Sequence, residues 1–88
     1  MTESFTEKEI EAMNGFLSRY KGGTLKLYTS DLNMLFIWLL ERKNIRMLKA
    51  KPIDLEHFGR YLEDERNNKV SSVNRRLSVV KRFYTYAH

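Results

Sequence analysis

One helical period recurs four times along this chain, and no period of two competes with it. Val73, Leu77, Val80, Tyr84 and Ala87 fall at intervals of three or four, one stripe down a single helix face. Val79, Phe83 and Tyr86 widen that stripe. Ile10, Met13, Phe16, Leu17 and Tyr20 draw another. Before it, Thr6-Glu7-Lys8-Glu9 has the form of a capping box, which predicts a helix starting at Thr6. Gly22-Gly23 is expected to stop this helix, because glycine accepts the left-handed C-terminal conformation. A second helix is predicted from about Thr24 to about Lys43, with Leu25, Tyr28, Leu32, Leu35, Phe36 and Leu39 on its apolar face. Near its end Met34, Ile37, Trp38 and Leu40 make it apolar almost all round, so it should be central. Residues 44–53 read as a connector, since Pro52 disfavours helical geometry at Lys51. Asp54 is expected to cap a third helix, which buries Leu55, Phe58, Tyr61 and Leu62 and ends around Asn67-Asn68. Ser71 or Ser72 is expected to cap the fourth. With no strand alternation and no internal repeat, the reading is one all-α domain over residues 1–88.

Eighty-eight residues allow one modest core. The absence of cysteine excludes disulfides and thiolate metal sites. Only two histidines, His57 and His88, are present, and no carboxylate-rich set accompanies them, so no metal and no cofactor is expected. The longest apolar run, Met34 to Leu40, is far short of the roughly 20 residues that span a bilayer. The opening Met-Thr-Glu-Ser is polar and acidic, unlike a secretory signal. The chain is therefore expected to be soluble and cytoplasmic, without a membrane partner. No glycine-rich phosphate loop is present. His57 lies on an acidic segment, where a solvated role is expected. Tyr84 and Tyr86 fall in the apolar arcs of the last helix, where tyrosines are commonly core residues with a polar tip. Catalysis by this chain alone is not expected.

The charge is distributed unevenly. The net charge of +5 divides into −2 for residues 1–20, +5 for 21–51, −4 for 52–65 and +6 for 66–88. If the two basic segments share a face, that face attracts a polyanion. In the last helix the arc opposite the apolar stripe holds Asn74, Arg75, Ser78, Lys81, Arg82 and Thr85, while Arg76 falls inside the apolar arc and is expected to snorkel. Ser71, Ser72, Asn74 and Arg75 stand at the start of that helix. Asn and Arg are the types that bond adenine and guanine edges in pairs. Thr24 and Lys26, at the start of the second helix, are phosphate-contacting types.

In sequence order, Phe16-Leu17-x-x-Tyr20 precedes Thr24-x-x-x-Tyr28-x-x-Asp31-Leu32-x-x-x-Phe36-x-x-Leu39. Ile53-Asp54-x-x-x-Phe58-x-x-Tyr61-Leu62 follows, and then Ser72-Val73-Asn74-Arg75-Arg76-Leu77-Ser78-Val79-Val80-Lys81-Arg82-Phe83-Tyr84. This series resembles the N-terminal core-binding domain of tyrosine recombinases, the phage integrase and Xer-like group, from about Thr6 to Ala87. The resemblance implies a four-helix, SAM-like bundle forming half of a C-shaped clamp on double-stranded DNA. Its second and fourth helices would lie against the major groove. By position, the DNA-facing candidates it implies are Thr24, Lys26, Ser71, Ser72, Asn74 and Arg75, with Lys81 and Arg82 beside them. The family's catalytic tyrosine, arginines and histidine belong to a C-terminal domain absent from this chain, so no catalytic residue transfers. Other protomers of the recombinase are implied as partners of the full-length protein, often through the first helix, with the isolated domain a monomer. The fourth helix still looks strong at His88, as expected of a fragment that continues elsewhere.

Two other readings remain open at this level. One is a helical protein–protein module whose charge serves solubility. The other is a helix-turn-helix repressor. It is disfavoured by the long polar turn before the fourth helix and by the acidic third helix, which would have to cross a phosphate backbone.

Overall fold

The computed structural model describes residues 5–87. It contains four α-helices and no strand among those residues: α1 (Glu7–Leu17), α2 (Gly22–Trp38), α3 (Pro52–Asp64) and α4 (Val70–Ala87). The all-α fold expected from the periodicity is what forms, with the four helices that the resemblance implies. His88 and the first four residues lie outside the described residues, as do the expectations placed on them.

The capping box of α1 is present. The Glu9 amide donates to Thr6 Oγ1 at 3.2 Å, and the Thr6 amide donates to Glu9 Oε1 at 2.8 Å. Gly22-Gly23 does not stop this helix. α1 ends at Leu17, and Ser18 closes it by donating its amide to the Asn14 carbonyl at 2.9 Å. Gly22 does take a left-handed conformation, with φ of 61°, but at the opening of α2. Ile10, assigned to the core stripe by spacing, is 45% exposed, and Glu9 is the residue that turns inward.

α2 is central as predicted, with Leu32, Leu35, Phe36 and Leu39 essentially inaccessible. Ile37 is the exception at 40% exposed. The helix reaches Lys43 through a wider, π-wound turn over Leu39–Lys43, terminated by Asn44 at φ 53°. The Ile45 amide returns to the Leu39 carbonyl at 3.1 Å. The connector holds a short 3-10 turn, Met47–Lys49, that sinks Met47 into the core at 2% exposed.

Two predicted caps shift. Asp54 sits at the third position of α3, not at its cap, and accepts the Lys51 amide at 2.8 Å, while Pro52 takes the first turn, where its missing N–H is harmless. α3 stops at Asp64, earlier than expected, and Asn67 makes the left-handed turn at φ 54°. α4 already starts at Val70, so Ser71 and Ser72 lie inside its first turn.

Phe83 of α4 fixes how that helix sits. Its ring meets Phe16 of α1 edge-on at 5.7 Å between centroids and Phe36 of α2 at 5.4 Å. All three rings are buried, each contributing about 1.5–3 kcal/mol by removal from water. Wedging α4 between α1 and α2 decides which arc of α4 is left to solvent.

Candidate nucleic-acid interface

That outer arc is polar and carries no carboxylate. Ser71, Asn74, Ser78, Lys81, Arg82 and Thr85 are all exposed. At 3.6 residues per turn they fit within an arc of about 100°. The wheel therefore places four of the eight candidate residues, Ser71, Asn74, Lys81 and Arg82, in one strip. Ser72 is half-buried and points well off it. On α2, Thr24 and Lys26 are exposed; Thr24 lies seven residues before Asp31 and nearly in line with it, whereas Lys26 is rotated away.

Arg75 stands at the margin of the strip and is engaged. Its Nη2 donates to Asp31 Oδ1 at 3.0 Å, and Arg76 Nε approaches the same oxygen at 3.2 Å. Asp31 is 1% exposed, while the Arg75 and Arg76 side chains are 37% and 19% exposed. The Arg76 head does not snorkel outward as expected. It turns in, donating from Nη1 to Asn68 Oδ1 at 2.5 Å and to Met34 Sδ at 3.4 Å. A buried carboxylate needs such pairing, because desolvating an unpaired charge costs several kcal/mol. This cluster joins the middle of α2 to the turn before α4 and to its first residues.

Other cations are also committed to structure. Arg46 grips the buried Glu9 from the connector, its Nε donating to Oε2 at 3.1 Å. Burial alone would raise the Glu9 carboxyl, but the Arg46 hydrogen bond and the Thr6 amide prevail and hold it below its ordinary value. Arg42 makes a two-pronged, exposed pair with Glu65 at 3.1 and 3.2 Å. Lys43 Nζ lies 2.6 Å from His57 Nδ1, so His57 is half-buried and partnered where solvation was expected. The two carboxylate pairings lower the field that the basic segments would show as a formal sum.

Two grooves flank α4; Lys81 lines both and Arg82 the first. Between α1 and α4 a groove of about 410 Å³ brings them together with Arg19, Ser78 and Tyr86. Between α3 and α4 a second groove, about 500 Å³, sets Lys81 opposite Pro52, Leu55 and Glu56. Glu56 is therefore beside the basic strip, so the acids of α3 are not all remote from it. Asp64 and Glu65 lie instead with Arg42, Lys43, His57 and Arg60, near the end of α2.

No group of three His, Asp or Glu among the described residues could hold a metal ion. The Tyr84 hydroxyl donates to the Met47 carbonyl at 2.5 Å, and burial pushes its pKa far above the ordinary phenol value. No helix among the described residues is long and apolar enough to cross a membrane. Asp31 and Arg19 were missed by sequence reasoning. The one signal for Asp31 was its charge amid an apolar face, between Tyr28 and Leu32.

No curated protein and no solved structure gives a significant match to the chain. Residues 14–88, however, match the family described as phage integrase, N-terminal SAM-like domain, and the match takes in α2, α3, α4 and the last turn of α1. With a match of that extent on a bundle of four helices, this chain belongs to the phage integrase N-terminal SAM-like domain family.

Proposed function

We propose that this chain is the DNA-binding module of a site-specific tyrosine recombinase, applying α2 and α4 to the major groove of the core recombination site. The observation that carries this reading is the exposed strip of α4 described above, free of acid and ending in two cations. Asn74 is the residue best placed to reach base edges, with Arg75 beside it. Ser71, Ser72, Lys81 and Arg82 on α4, and Thr24 and Lys26 on α2, are phosphate-contacting types that set register. Catalysis is proposed to belong to another domain of the recombinase. Half a clamp lacks the effective concentration of a linked pair, so isolated binding is weak and dominated by phosphates.

Titration of labelled duplex at two salt concentrations tests the reading; silence at the lower salt overturns it. Asn74→Ala should weaken binding and Glu63→Ala should not. Asn74 is preferred to Arg75 for this purpose because it carries no ion pair whose loss would disturb the fold. Other protomers of the recombinase are proposed as a second class of partner, favoured by Ile10, which leaves 45% of its surface exposed on α1. Chemical-shift changes at the starts of α2 and α4 on adding DNA, against changes on α1 with rising protein concentration, separate the two contacts.

A further inference from the structure

The groove between α1 and α4 was not foreseen from the sequence and has an unusual lining. Arg19, from the turn after α1, and Lys81 and Arg82, from α4, converge on it. No carboxylate lines it, and none of the three cations has an acidic partner among the described residues. Arg19 is held over two rings, its guanidinium carbon 5.0 Å from the Tyr86 centroid and 5.9 Å from that of Phe16. Such stacking restrains a planar cation while leaving its edge donors free. Tyr86 itself is 42% exposed, and its hydroxyl lies over Gly15, where a Cβ would collide with it. The lack of a side chain at Gly15 is what lets the ring stand there and orient Arg19.

We propose that this groove binds the phosphodiester backbone of duplex DNA, with Arg19 as a further phosphate-contacting residue. The inference rests on the DNA-binding reading and extends it from α2 and α4 to the turn after α1. Continuity and distance favour this occupant over an acidic protein. The α4 wall of the groove is the C-terminal half of the same strip that presents Asn74. Asn74 to Arg82 is eight residues, or about 12 Å along a helix. The major groove is also about 12 Å wide, so a helix that puts Asn74 at base edges brings Arg82 and the neighbouring Arg19 to a bounding strand. A phosphate contact from Arg19 carries no sequence preference.

The experiment measures affinity for short mixed-sequence duplexes against salt, for the full chain and for Arg19→Ala, Arg19→Lys and Arg60→Ala. Arg60 is an exposed α3 arginine outside the groove and supplies an equal change of charge. Arg19→Ala should weaken binding alike on unrelated sequences and lower the log–log salt slope by about 1. Arg60→Ala should leave the slope nearly unchanged. Arg19→Lys, which keeps the charge, should retain the slope with somewhat lower affinity, and it remains informative if the alanine variant folds poorly. An unchanged slope in Arg19→Ala, or equal losses in Arg19→Ala and Arg60→Ala, overturns the groove while leaving the α2–α4 reading intact. A lysine variant that loses as much slope as alanine overturns it too. Failure of the unsubstituted chain to bind any duplex at low salt overturns both.

Discussion

The two halves of α4 use the same kind of residue for different ends. In the first half, Arg75 and Arg76 converge on one buried carboxylate of α2 and act as a joint between elements. In the second half, Lys81 and Arg82 look onto solvent beside Arg19, with no acidic partner among the described residues. One turn and a half of helix separates a cation that stabilises the fold from one available to a ligand. Formal charge treats them alike. The field offered to a polyanion does not, because an ion pair on a buried oxygen cancels much of it.

Substitutions can break or sharpen this contrast. The largest effect is expected at Asp31→Ala, which strands two guanidinium groups. Breaking a buried pair costs about 3–5 kcal/mol, and the partial exposure of both arginines places this one near the lower end, about 3 kcal/mol in chemical denaturation. A loss below about 1 kcal/mol would mean the joint is cosmetic. Next comes Glu9→Gln, about 2 kcal/mol at neutral pH, from weakened charge-assisted bonds to Arg46 and Thr6.

The acid limb of the same experiment has a defined sign. The folded-state pKa of Glu9 is depressed, so its contribution is present above the unfolded value and is lost as pH falls through the folded one. Melting temperatures of native chain and Glu9→Gln should therefore converge on acidification; a gap that persists or widens contradicts the assignment.

Smaller effects discriminate most finely between the two halves. Arg75→Ala should lower stability by about 1 kcal/mol and DNA affinity with it, because Asp31 keeps Arg76. Arg82→Ala should change stability by less than about 0.5 kcal/mol while lowering the salt slope of binding. Should Arg82→Ala destabilise the fold as much as Arg75→Ala, the division along α4 would disappear.

The sequence was most legible where structure is local. The Thr6–Glu9 box, the stripe from Val73 to Ala87 and the apolar face of α2 all rest on neighbours within one or two turns. What it concealed depends on distant partners. Arg46 meets Glu9 across 37 residues and Arg75 meets Asp31 across 44, so neither carboxylate announced its partner. Helix edges also slipped where two signals competed. Pro52 is a good first-turn residue and Asp54 a good cap, and the proline prevailed because a carboxylate at the third position can still reach the Lys51 amide. On the candidate interface, spacing alone grouped Asn74, Lys81 and Arg82. It had no means of finding Arg19, whose place in the groove follows from Tyr86 standing over Gly15.

The Tyr84 hydroxyl on the Met47 carbonyl has a mechanical consequence. The connector is clamped at successive residues, Arg46 to α1 through Glu9 and Met47 to α4 through that phenol. A tug on the final turn of α4 is thus not absorbed by a slack tether. It travels through a short stiff strut, so force applied at the tail of the last helix is felt at the head of the first.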